Sequence, residues 1–145
     1  MKIAIACDHA GPSLKAKVVA HLKDKGIEVA DFGTDDTRPV DYPDYALKVA
    51  QAVASGQADL GILICGTGIG MSICANKVKG IRCALCSDTF SAHATRQHND
   101  ANVLALGAGI TGPNLAKRIV EVFLNTEFEG GRHARRVGQL DSIQP

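Results

Sequence analysis

The sequence predicts an α/β fold, a five-stranded parallel sheet covered by helices on both faces. Three observations carry this. Short apolar runs alternate with longer segments of helical period along the whole chain. The runs are apolar throughout, as in "LGILIC" (60–65), which suits strands buried on both faces. Finally, no Pro/Ser-rich linker, internal repeat or low-complexity segment divides the chain, so residues 1–145 read as one domain, with 125–145 as a polar C-terminal arm.

The elements follow in order. Residues 2–7, "KIAIAC", form a buried strand. Residues 12–26 form a helix, with Leu14, Val18 and Leu22 on one face and Gly26 as its stop. "IEVADFG" (27–33) is the second strand. Residues 42–56 are a helix with Pro43 near its first position and Ala46, Val49, Ala50 and Val53 inward. "LGILIC" is the third strand, and "MSICANKV" (71–78) a short helix. "IRCALCS" (81–87) is the fourth strand. The helix 88–99 follows, with Asp88 as N-cap. "NVLALG" (102–107) is the fifth strand, and 112–125 the last long helix, with Leu115, Ile119, Val122 and Phe123 inward.

Composition excludes several classes. Hydrophobic residues make up 46% of the 145, a globular content, and the net charge is +1, which argues against a basic nucleic-acid surface. Aromatics are 4%, with no Trp, so stacking platforms for single strands are missing. No apolar run is long enough to span a membrane. The N-terminus breaks into Asp8-His9 too early for a signal peptide. Five cysteines, an odd number set mostly in apolar runs, suit a reducing cytoplasm.

The stretch "ILICGTGIG" (62–70) asks for a function. It is not a dinucleotide fingerprint: after Gly66 and Gly68 that motif needs glycine at 71, where Met71 stands. It is not a P-loop either. A glycine turn between a strand end and a helix start brings backbone N–H groups close to an anion, or it is simply a tight turn. Cys65 at its mouth adds a thiol facing that helix, where the thiolate is favoured; it is a nucleophile, a general base or a buried apolar residue. Cys7, Cys74, Cys83 and Cys86 read as apolar residues. Cys83 and Cys86 lie three apart on a strand and point to opposite faces, so they share no metal.

Ligands of open parallel sheets sit at the C-terminal strand ends. Those ends bring Asp8, His9, Cys65 and Thr67 to one crevice, although Asp8 or His9 could instead cap the first helix. His98 and Asn99 precede the fifth strand and lie at the opposite edge. Either His98 serves a neighbouring subunit's site, or it is only a residue favoured by a helix C-terminus. Arg132 and Arg136, four apart in "GGRHARRVG", share a helix face that suits a phosphate or forms a solvated basic patch.

Together, "DHAG" (8–11), "DYPDYA" (41–46), "ICGTGIGMSICANK" (64–77), "RQHNDANVLALG" (96–107) and "EGGRHARRV" (129–137) resemble the type B ribose-5-phosphate isomerase family, whose relatives act on galactose 6-phosphate and allose 6-phosphate. The resemblance covers nearly the whole chain. It implies a three-layer α/β/α Rossmann-like sandwich, and a dimer or tetramer with active sites shared between subunits. It implies no metal and no nucleotide cofactor. It implies interconversion of an aldose phosphate and a ketose phosphate through an enediolate. Cys65 would be the base and Gly66, Gly68, Ile69 and Gly70 the loop that holds the enediolate. His98, assisted by Thr67, would open the sugar ring. Asp8, His9 and Asn99 would bind hydroxyls, and Arg132 and Arg136 the phosphate. One branch of the family uses a glutamate where this chain has Met71, so the chain sorts with the cysteine branch. Many members carry an arginine where this chain has Gly109, which leaves a six-carbon sugar phosphate as the alternative substrate. A binding module without catalysis is the remaining alternative.

Overall fold

The computed structural model describes residues 1–143; the last two residues of the 125–145 arm lie outside the described residues. Along the chain run β1 (Lys2–Cys7), α1 (Pro12–Asp24), β2 (Glu28–Asp31), α2 (Tyr42–Ala54), β3 (Leu60–Cys65), α3 (Ile69–Ala75), β4 (Cys83–Leu85), α4 (Thr89–Asn99), β5 (Val103–Gly107), α5 (Pro113–Asn125) and α6 (Arg132–Asp141). The sheet is parallel throughout, in the order β2-β1-β3-β5-β4.

The strand pleat explains the three layers. Ile62 and Ile64 join Leu14, Val18, Leu22, Ile119 and Phe123 in a core beneath α1, α4 and α5. Leu63 and Cys65 point the other way, into a core with Ala46, Val49, Ala50 and Met71 beneath α2 and α3. The central strands β1, β3 and β5 are almost wholly buried, whereas the edge strands β2 and β4 are short and half-buried. The chain passes from β1 outward to β2, then returns to the far side of β1 as β3. Where strand order reverses, the C-terminal ends of β1 and β3 flank a crevice.

Several expectations need correction. Leu115 is exposed and Val122 only half-buried; Ala116 and Val120 take the inward positions of α5 beside Ile119 and Phe123. The third helix starts at Ile69, not at residue 71. The arm contains a helix, α6, which buries His133 and Val137. Asp88 caps α4 as expected, its Oδ1 accepting from the Ser91 N–H at 2.6 Å.

One charge lies inside. Lys15 of α1 is 1% exposed, and its Nζ donates at 2.8 Å to both Asp31 and Asp35. Burial pulls its pKa down, but the hydrogen bonds to Asp31 and Asp35 outweigh this and hold it above the ordinary 10.5. The pair pins the chain after β2, where Gly33 N–H also donates to Asp31. Lys15→Met keeps the stem and deletes the charge. Because both carboxylates reach solvent, it is expected to cost about 1–3 kcal/mol in urea unfolding at neutral pH. A raised lysine pKa stabilises fully below its unfolded value. The difference between wild type and variant is therefore expected to shrink as pH rises above 10.5.

Candidate active site

β3 ends at Cys65 and the chain must turn at once to begin α3. Gly68 makes the turn with φ of 79°, a left-handed conformation that costs glycine little. The turn carries the Gly68 N–H to the Cys65 Sγ, 3.0 Å away. Cys65 is only 6% exposed, so this bond is its main polar contact. The Ile69 N–H goes to Thr67 Oγ1 at 3.2 Å. Among the described residues, the N–H groups of Gly70 and Met71 have no acceptor, as first-turn amides commonly lack one.

The neighbouring strand braces this loop. In the β3–β5 register Cys65 faces Gly107. A Cβ on Gly107 would lie 2.7 Å from the Thr67 carbonyl oxygen, so only glycine fits. Beyond it, Ala108 N–H donates to Cys65 O at 2.8 Å and Gly109 N–H to Gly66 O at 2.9 Å.

The other wall comes from the β1 end. Asp8 N–H donates to Ile64 O at 3.1 Å, and Asp8 Oδ1 accepts from Ala10 N–H at 2.9 Å. His9 Nδ1 accepts from Val40 N–H at 3.1 Å. That bond puts the neutral ring's proton on Nε2. Neither residue caps α1, whose N-cap is Gly11 with no side-chain bond, so both are left for the crevice. Asp8 and His9, after β1, thus adjoin Cys65 at the end of β3, the turn Gly66, Thr67 and Gly68, and Ile69 and Gly70 at the start of α3. Tyr42 joins them: a Cβ on Gly70 would meet its ring at 2.8 Å. The sequence showed Tyr42 only as the first residue of α2; its position over the turn follows from how α2 crosses α3.

His98 and Asn99 lie elsewhere in this chain. They end α4 beside the N-terminal end of β5, and the strand's length, about 13 Å at 3.3 Å per residue, separates them from Cys65. Asn99 lines a cleft of about 440 Å³ there, with Arg82 and Asp141. The α6 arm packs against α4: Glu129 N–H donates to Gln97 O at 3.0 Å, and Arg96 Nε to Thr126 O at 3.3 Å. Arg132 and Arg136 are exposed on the outer side of α6. His133 turns inward and stacks on His98, with centroids 4.4 Å apart and planes at 15°. His133 was not singled out in the sequence, although its i, i+4 spacing with Val137 marks the inner face.

Among the remaining thiols, burial pushes Cys7 up to about 12, Cys83 to about 12 and Cys86 to about 11, and raises Cys74 as well. Cys83 and Cys86 contribute to opposite cores, so they do not pair. Iodoacetamide at about pH 8 is therefore expected to leave Cys7, Cys83 and Cys86 unlabelled, as read by peptide mass spectrometry of the native protein.

Known proteins match this arrangement along its length. The sequence profile described as Ribose/Galactose Isomerase matches residues 3–140. The putative sugar phosphate isomerase YwlF of Bacillus subtilis is 55% identical, covering 99% of this chain and 97% of its own. Ribose-5-phosphate isomerase B of Escherichia coli is 54% identical, covering 99% and 96%. The structure of Clostridium thermocellum ribose-5-phosphate isomerase B superposes with a TM-score of 0.98 at 55% identity, over 99% of this chain and 97% of that one. A thiol held by a glycine turn at the sheet's switch point, a basic arm on the opposite end and this full-length likeness lead to one conclusion: the chain belongs to the ribose/galactose isomerase family.

Proposed function

We propose that the chain interconverts ribose 5-phosphate and ribulose 5-phosphate through an enediolate. The observation that carries this is the Cys65 thiol, hydrogen-bonded by Gly68 N–H and followed by the free amides of Gly70 and Met71. A carbon next to a carbonyl is a weak acid, so its proton must be taken by a base poised near neutral pH. Cys65 takes the proton from C2 of the aldose and returns it to C1. Negative charge meanwhile grows on oxygen, where fixed backbone N–H groups of the Gly66–Gly70 loop stabilise it. The ribose 5-phosphate named in the relatives supports the choice of sugar.

The remaining roles follow the chemistry of each group. Asp8, His9 and Asn99 bind sugar hydroxyls. Arg132 and Arg136 hold the phosphate, which two guanidinium groups suit. His98, with Thr67, protonates the ring oxygen and opens the furanose. His98 lies beyond reach of its own Cys65, so it serves the site of a second copy, and the active unit is a homo-oligomer with shared sites. Exposed apolar side chains beside the glycine turn, Ile73, Leu85, Phe90 and Ile110, support a partner there. Neither cofactor nor metal is required by this chemistry. Five free thiols agree with a cytoplasmic location, and no helix among the described residues is long and apolar enough to cross a membrane. Residues 1–145 act as one catalytic domain, with 125–145 as the arm that reaches the neighbouring site.

A second reading keeps the mechanism and changes the sugar. Gly109 puts no side chain beside the loop, so the phosphate site rests on Arg132 and Arg136, and a six-carbon sugar phosphate fits as well. A higher kcat/KM for allose 6-phosphate than for ribose 5-phosphate would establish it.

Proton NMR in deuterated water tests the leading reading. Ribulose 5-phosphate is expected to appear from ribose 5-phosphate with deuterium at the transferred position; absence of conversion overturns it. Cys65→Ala is expected to lower kcat by about 10²–10⁴ with an unchanged melting curve. Mixing Cys65→Ala with His98→Ala chains is expected to restore part of the activity, because hybrid dimers contain one intact site. Failure to recover after proven subunit exchange would assign His98 no role across the interface.

A further inference from the structure

His133 is a buried polar side chain that the proposed chemistry leaves unused. It is 7% exposed, and its Nε2 is buried without a hydrogen-bond partner among the described residues. Its nearest acid, Glu129, holds a carboxylate oxygen 4.0 Å away. Burial lowers its pKa, and the positive charges of Arg132 and Arg136 and the facing His98 push the same way, against Glu129. The ring is therefore neutral where the site works.

His98, Glu129 and His133 bring three ligand atoms within 4.8 Å of one another. A metal ion is nevertheless poorly served. Rings stacked at 15° aim their nitrogen lone pairs side by side, whereas a tetrahedral ion needs them to converge. What the stack does well is fix a ring plane. Among the described residues no protein group hydrogen-bonds either nitrogen of His98, so its orientation is set by the face of His133, not by a hydrogen bond. A neutral aromatic face also tolerates a protonated imidazole above it.

We propose that His133 is a positioning residue for His98: its buried ring, stacked 4.4 Å from the His98 ring, holds the acid in the plane from which it delivers a proton to the sugar ring oxygen. This rests on the reading that His98 opens the furanose. It assigns His133 an effect on ring opening and none on the open-chain intermediate.

The test compares a ring-closed substrate with an open-chain mimic. The mimic is a four-carbon hydroxamate with a terminal phosphate, which presents the planar enediolate-like group and needs no ring opening. His133→Ala is expected to lower kcat/KM for ribose 5-phosphate about 10- to 100-fold while the inhibition constant of the hydroxamate stays within about threefold. His133→Phe restores the flat face and is expected to return turnover to within about threefold of wild type. It also guards against a fold lost on truncation. Hydroxamate affinity that falls in step with turnover would overturn the proposal, because His133 would then hold the ligand itself. So would full turnover in His133→Ala, or a folded Phe variant no better than Ala. The underlying reading fails separately: if His98→Ala turns over ribose 5-phosphate like wild type, or if wild type does not bind the hydroxamate, the ring-opening or enediolate step is wrong whatever His133 does.

Discussion

The close approach of two strand ends governs this molecule. β3 and β5 run side by side until Cys65 faces Gly107, and there the Ala108 amide reaches the Cys65 carbonyl. A side chain at position 107 would push into Thr67 and force the two loops apart. With that contact made, Gly68 can fold back over the sulfur, and α3 can start close enough to keep its first amides at the crevice. The thiol, its hydrogen-bond donor and the unpaired amides are thus consequences of one tight fit between neighbouring strands.

A second constraint works on the opposite wall. Lys15 ties Asp31 and Asp35 together from inside, and the chain between them exchanges bonds with β1 through Gly33 and Thr34. The segment that leaves this anchor carries Val40 to His9. The imidazole is thereby committed as a donor toward the crevice, while its acceptor nitrogen is spent on the backbone. A residue remote from any ligand sets the tautomer of one at the mouth.

The sequence made the central strands clear because buried parallel strands leave little ambiguity: "IAIAC", "LGILIC" and "VLALG" are apolar without interruption. That same uniformity hid which face each residue takes, so the assignment of Cys65 to the α2 side came only with the fold. Leu115 misled because it lies next to the true apolar stripe of α5. The spacing of Arg132 and Arg136 pointed to a helical turn in the arm, but its polar composition hid how far α6 extends, to Asp141. Tyr42 and His133 were illegible for a different reason. Their importance comes from what they touch, Gly70 in one case and His98 in the other, and neither partner is near them in sequence. The separation of His98 from Cys65, by contrast, followed from βα alternation alone, since a helix must return the chain to the far edge before the next strand begins.

The edge strand β4 has three residues, and around it Leu85, Phe90 and Ile73 stand open to water. In the proposed homo-oligomer a second copy covers that surface. For a chain just released from synthesis it is an unguarded strand edge lined with grease, the kind of feature that invites wrong partners. The brevity of β4 limits how far any such pairing can propagate. On the reading that the chain works as a homo-oligomer, its solubility early in life is a matter of timing: the interval between folding and meeting a second copy is when it is most exposed to loss.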